Sequence, residues 1–276
     1  MSDLPLSPQV FSILSALVEE RVGLSYSLAD MDIFASKASA RALEAGFESM
    51  LDYYYCLRYD DPEQREFQRL AESLLVHETF FFREFDPLRA ALAHFVAPHA
   101  KAGRRARVWC AACATGEEPV TIAMLLHEAQ LSDQVELIAS DLSQSALERA
   151  KRGVFSPRAL RQQSDHPLAA RYLETSPQGI VAHPSLLQSI DFRQVNLIDH
   201  AAVEALGSFD LIVCRNVLIY FDDARVHSVV SRLAGRIRPE GALLIGVSES
   251  LMRFGTSLTC EEHGGSFVYR RVASRS

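Results

Sequence analysis

No apolar run in this sequence approaches the roughly 18 residues that a membrane-spanning helix needs. The opening MSDLPLSPQ also lacks the character of a secretory signal, so a cytoplasmic protein without direct membrane insertion is the expectation. Positive charge is scarce. Lys and Arg number 28 against 35 Asp and Glu, a formal net charge of -7, which argues against nucleic acid or an anionic membrane as the main partner. The five cysteines are odd in number and irregular in position, which points to reduced thiols rather than a disulfide framework. Cys110 and Cys113 make a C-x-x-C, but no second pair or nearby histidine completes a zinc set. No metal site is expected, and burial among small residues is the plainer reading. Two nucleotide signatures are missing as well: neither G-x-x-x-x-G-K-[ST] nor G-x-G-x-x-G occurs in the loop described next.

What is present starts with VWCAACATGEEPVTIAMLL, residues 108–126. It reads as an apolar strand, a loop of small residues and a helix with Pro119 at its first position, where a missing N–H costs nothing. Ile122, Leu125, Leu126 and Ala129 follow at helical spacing. Such a loop lets a ligand approach the main chain and its free N–H groups closely. Glu117 and Glu118 stand at that helix start, where they suit the dipole but repel phosphate. The ligand they favour is neutral or cationic, or offers hydroxyls and an ammonium to a carboxylate.

The chain has 276 residues, 48% of them apolar and 9% aromatic, enough for one large domain and a small one. Residues 1–75 read as a helical domain: Phe11, Leu14, Leu17 and Val18 share a face, and further helices are expected near 30–45, 48–59 and 63–75. Residues 76–107 form a linker that opens the ligand site. Within it, Phe80, Phe81 and Phe82 cannot all face one core from one regular element, so some should cover a ligand or a seam. His77, Thr79 and Arg83 are the polar groups beside them.

From 108 to 276 the pattern alternates between strand and helix. VELIASD, 135–141, ends in Asp141, 25 positions beyond Gly116, where nucleotide-binding folds grip ribose hydroxyls. Ser143 can cap the next helix. Residues 152–190, broken by Gly153, Pro157, Pro167, Pro177, Gly179 and Pro184, look like an insertion of small antiparallel strands. DFRQVNL, 191–197, resumes the core. FDLIVCRNVLIYFD, 209–222, then holds a central parallel strand that ends in Arg215 and Asn216, with Tyr220 on an irregular turn after it. A helix stopped by Pro239 and Gly241 leads to strand 241–250, and FVYRR, 267–271, closes the sheet.

HETFFFRE resembles the N-x-T-x-F-F-R segment of CheR-type chemotaxis receptor methyltransferases, and WCAACATGEEPVTIAMLL resembles their W-S-A-A-C-S-T-G-E-E-P-Y-S-I-A block. ASDLSQSALERAKRGVFS, FDLIVCRNVLIYFD and LLIGVSESL match later blocks in order, so the resemblance spans residues 8–271. It implies a Rossmann-like α/β methyltransferase core with an all-helical N-terminal domain and an inserted antiparallel β-subdomain. It also implies methyl transfer from S-adenosylmethionine to receptor glutamates, giving γ-glutamyl methyl esters and S-adenosylhomocysteine. The implied partner is the cytoplasmic helical region of a chemoreceptor or receptor-like protein, with the enzyme a monomer.

By the same resemblance Asp141 holds the ribose and Glu117 lies near the amino-acid part of the cofactor. His77, Thr79 and Arg83 close over it, and Asn196, Leu197, Arg215 and Asn216 line the adenine and methionine side. Arg83 and Tyr220 are the orienting groups at the reacting methyl. The sequence departs from the family in having His77 where Asn is usual and Val120 where Tyr is usual. Its second helix carries only Lys37 and Arg41 against Asp30, Asp32, Glu44 and Glu48. Two other classes compete: a module that binds S-adenosylmethionine as a signal without catalysis, and a dinucleotide dehydrogenase. Intact Arg83, Arg215, Asn216 and Tyr220 weigh against the first; Glu117, Glu118 and the missing G-x-G-x-x-G weigh against the second.

Overall fold

In the computed structural model, residues 4–271 are described. They fall into two compact units. One runs through Val76 and takes in Tyr220–Arg225; the other holds His77–Ile219 and the chain from Val226 onward. No helix among the described residues is long and apolar enough to cross a membrane.

The first unit is built from α1 (Pro8–Val22), α2 (Met31–Glu44), α3 (Met50–Tyr55) and α4 (Arg65–Leu74). Ser7 caps α1 through its hydroxyl, which accepts the Val10 N–H, and Gly23 ends it at φ 84°. Leu14, Val18, Phe34, Ala38, Tyr53 and Leu70 form the buried interior. The two cations of α2 are both engaged inside the unit. Arg41 Nε donates to Glu66 at 2.7 Å, and Lys37 Nζ donates to the Leu74 carbonyl at 3.1 Å.

The second unit begins with α5 (Phe85–Phe95) and α6 (Ala97–Lys101), so residues 77–101 pack as part of it. It continues through β1 (Ala106–Ala111), α7 (Glu117–Glu128), β2 (Val135–Asp141), α8 (Gln144–Arg152) and β3 (Val154–Phe155). Next come α9 (Pro167–Tyr172), β4 (Leu173–Ser176), β5 (Gly179–Ala182), α10 (Pro184–Gln188), β6 (Ile190–Gln194) and α11 (His200–Ala205). It ends with β7 (Phe209–Val213), α12 (Asp223–Arg236), β8 (Ile237–Leu244), β9 (Leu258–His263) and β10 (Ser266–Arg271). The main sheet has the order β6-β2-β1-β7-β8-β10-β9. The first five strands are parallel, and β10 is antiparallel to both its neighbours. β3, β5 and β4 form the separate antiparallel sheet of the insertion.

Chain order reverses at β1, whose neighbours are β2 on one side and β7 on the other. That reversal opens a crevice at the carboxyl ends of these strands. β7 is buried at every position, as a strand covered on both faces must be.

Several local expectations are corrected. α7 starts at Glu117 with Gly116 as its cap, which makes Pro119 the third helical residue. β8 runs straight through Pro239 and Gly241, and a bulge opposite Phe209 and Leu211 absorbs the proline. β10 does not close the sheet, because β9 pairs outside it. Phe81 and Phe82 both enter one core, since Phe82 takes φ 62° and turns the chain between them. Phe80 alone stays at the surface of that core, with Arg161 3.8 Å and Arg83 5.5 Å from its ring centre.

Candidate functional site

The loop between β1 and α7 is held from below. The Cys113 N–H donates to the Ser140 carbonyl at 2.9 Å, and the Ala114 N–H donates to Asp141 Oδ2 at 2.8 Å. The other Asp141 oxygen accepts the Ser143 N–H at 2.9 Å, and with the Leu142 N–H also near, the carboxylate still has acceptor capacity for a further donor. Asp141 is 7% exposed, and burial pushes its carboxyl above the usual 3.8, while the N–H groups of Ser143 and Ala114, and then His77, pull it back. Gly116 sits at φ 97°, and a Cβ there would lie 2.6 Å from Ala150 Cβ. The loop therefore packs against α8 at a distance only glycine permits.

Beside this loop is a cavity of about 720 Å³. His77, Thr79, Thr115 and Glu117 line it, together with Glu78 and the arginines Arg149, Arg158 and Arg161. Glu117 is buried, and its Oε2 accepts the Thr115 hydroxyl at 2.7 Å. Burial raises the Glu117 carboxyl above the usual 4.5; Thr115, its own backbone N–H and Arg149 act against that. A space of this volume suits a nucleoside-sized ligand. The buried acid on its wall can take up an ammonium, and Asp141 at the end of β2 retains acceptor capacity for hydroxyls, so the residues present fit S-adenosylmethionine.

Arg215, just past β7, is spent within the protein. Its Nη2 is 2.5 Å from Glu118 Oε2, its Nη1 is 3.4 Å from Glu84 Oε2, and Nη1 also donates to the Arg83 carbonyl at 2.9 Å. It thus anchors the turn that carries Arg83 and Glu84, the latter at φ 47°. Arg83 itself donates to the Glu78 carbonyl at 3.2 Å. Asn216, at φ 59°, donates its N–H to Glu249 Oε2 at 2.7 Å. Asn196 and Leu197 follow β6 next to the end of β2. There the Asn196 side chain accepts the Ile198 N–H at 3.1 Å, and the Leu197 carbonyl accepts from Arg232 at 3.3 Å. Tyr220 belongs to the first unit, where its carbonyl accepts the Ser25 N–H at 2.9 Å.

Of the residues singled out from sequence, His77, Thr79 and Glu117 stand together on the cavity wall, with Asp141 directly beneath the adjoining loop. Arg83, Asn196, Leu197, Arg215, Asn216 and Tyr220 are not among its lining residues. Glu249 was not anticipated. Half-buried in the loop after β8, it accepts the N–H groups of Asn216, Leu218 and Gly246 at 2.7, 3.0 and 2.8 Å, and its partial burial raises its carboxyl above the usual range. An acid two positions after the apolar run GALLIGV is the available signal. Cys110 and Cys113 are buried, and burial pushes both thiols well above their ordinary range.

A family model described as the CheR methyltransferase, SAM binding domain, matches residues 77–263. Chemotaxis protein methyltransferase 2 of Vibrio cholerae is 33% identical over 215 residues, which cover 76% of this chain and 74% of that protein. Chemotaxis protein methyltransferase 2 of Pseudomonas aeruginosa is 34% identical over 238 residues, 83% of this chain and 82% of that one. Chemotaxis protein methyltransferase 1 of the same organism is 28% identical over 270 residues, 94% and 97% of the two chains.

Proposed function

Because the chain belongs to the CheR methyltransferase family, we propose that it methylates glutamate side chains on the cytoplasmic helical region of a chemoreceptor or receptor-like protein. The products are γ-glutamyl methyl esters and S-adenosylhomocysteine, and the enzyme acts as a cytoplasmic monomer. The observation that carries this reading is that two buried carboxylates, Glu117 and Asp141, both bond the loop that opens α7, Glu117 through the Thr115 hydroxyl and Asp141 through the Ala114 N–H. They suit a ligand with an ammonium at one end and ribose hydroxyls at the other.

Bound S-adenosylmethionine supplies an electrophilic methyl. The chain's own residues hold and orient it: Asp141 toward the ribose hydroxyls, Glu117 toward the ammonium, His77 and Thr79 across the cavity wall. Arg83, on the turn that Arg215 fixes, orients the incoming glutamate. Arg215 and Asn216 serve the site by holding that turn and the loop after β7, while Asn196 and Leu197 border the adenine. An ordinary glutamate with a pKa near about 4.3 is already ionised at neutral pH, so no residue has to act as a base. The protein's contribution is alignment and exclusion of water from opposite charges that neutralise each other as the methyl moves.

The test is incubation of the protein with methyl-labelled cofactor and receptor-bearing membranes. Base-labile label on the receptor is the expected result. Cofactor binding without any label would favour the signalling module instead.

A further inference from the structure

The cavity wall carries more positive charge than its own carboxylates offset. Arg161 is paired with Glu78 at 2.5 Å and lies over the Phe80 ring. Arg149 shares the cavity wall with the buried Glu117. Arg158 is left: it is exposed at the rim, and its guanidinium makes no hydrogen bond or ion pair with any described residue. The turn that presents it is nevertheless fixed on three sides. Ser156 Oγ accepts the Arg158 N–H at 3.3 Å, the Arg161 N–H donates to the Arg158 carbonyl at 3.1 Å, and the Phe81 N–H donates to the Ala159 carbonyl at 2.8 Å.

An arginine carried on an anchored turn, without a carboxylate of its own, is suited to a carboxylate from outside. S-adenosylmethionine has one carboxylate against two positive centres, so it does not call for a third cavity arginine at the rim. The acceptor protein does. On a helical acceptor, residues three or four positions from the reacting glutamate lie about 5–6 Å from it between Cβ atoms, close enough for one to meet the rim while the other enters.

We infer that Arg158 forms a subsite for a second carboxylate of the methyl-accepting protein, so that the enzyme selects glutamates that have an acidic neighbour on the same helix face. This rests on the methyl-transfer reading above and adds to it a specificity determinant at the exposed rim of the same cavity.

The experiment uses the full-length protein and receptors in which the accepting glutamate has been mapped, with its acidic neighbours intact or replaced by glutamine. Wild type should methylate the acidic form with about tenfold higher kcat/KM, the difference lying in KM, as expected for one charge-assisted contact. Arg158→Ala should bring that ratio close to one, a comparison of two acceptors that a change in cofactor affinity alone would not move, and Arg158→Lys should restore part of it. An unchanged ratio in Arg158→Ala overturns the subsite. A wild type that labels both receptor forms equally removes the subsite alone. One that labels neither removes methyl transfer and the subsite together.

Discussion

Arg215 Nη2 meets Glu118 Oε2 at 2.5 Å with the two side chains 1% and 12% exposed, joining the end of β7 to the first turn of α7. The same guanidinium reaches the Arg83 carbonyl, so a single buried cation fixes three segments around the cofactor loop. Glu118 also accepts from Cys110 Sγ at 3.0 Å. Removing one member of such a pair strands the other charge away from water. Glu118→Ala should therefore cost about 3–5 kcal/mol of stability, read from chemical denaturation. A loss within that of a surface ion pair, under about 1 kcal/mol, would show that water reaches the guanidinium.

Glu117 sets a pH dependence on cofactor binding. Its carboxyl is raised by burial, so the folded protein holds a proton there at pH values where the unfolded chain does not. That protonation stabilises the fold below the ordinary 4.5, and the contribution is lost as pH rises through the raised value. An ammonium pairs with the ionised form only. Affinity for S-adenosylhomocysteine should then rise with pH, by up to about tenfold per unit below the raised pKa, and level off above it. Calorimetry in two buffers of different ionisation enthalpy would detect the proton released on binding. Glu117→Gln should bind more weakly and with a flatter profile; a slope identical to wild type would take Glu117 out of the ammonium site.

Local pattern made some of this legible and left the rest hidden. VELIASD gave β2 to the residue, because a central parallel strand is an apolar run and its end is marked by a polar change at Asp141. The cap at Ser143 followed from the same reasoning, and its hydroxyl does accept the Ala146 N–H. β9, LTCEEH, escaped notice because an edge strand with one solvated face needs no apolar run. The left-handed turn at Phe82 was invisible too, since nothing local favours φ 62° in phenylalanine; the core on both sides imposes it. Arg215 was read as a ligand contact because its partner Glu118 lies 97 positions away, and such a pairing leaves no trace in spacing. Glu249 was missed for the same reason: the three N–H groups it serves are supplied by a loop about thirty residues earlier and by its own turn.

Gly116 tests the loop itself. An alanine there would face both the unfavourable φ of 97° and a Cβ contact of 2.6 Å to Ala150. Gly116→Ala should destabilise the protein by about 2–4 kcal/mol, the sum of backbone strain and overpacking. Ala150→Gly in the same chain removes the 2.6 Å contact but leaves Ala150 Cα at 3.2 Å and places a glycine inside α8, so it should return only part of the overpacking. Full recovery in the double variant would mean that the backbone conformation carries no strain.

Asp141 separates binding from folding. Its carboxylate accepts two backbone N–H groups, so Asp141→Ala leaves both without an acceptor, whereas Asp141→Asn keeps one acceptor oxygen and the same shape. Because burial raises this carboxyl, the aspartate's contribution to stability falls as pH rises through its folded pKa. The asparagine variant, which does not titrate, should lose less stability than wild type on going from acid to neutral pH. For the ligand the order reverses: an ionised acceptor is stronger than an amide, and S-adenosylhomocysteine should bind Asp141→Asn more weakly by about 1–3 kcal/mol, checked by isothermal titration at neutral pH. Unchanged affinity in a folded Asp141→Asn protein would place the ribose hydroxyls elsewhere along the crevice and leave Asp141 as a loop anchor alone.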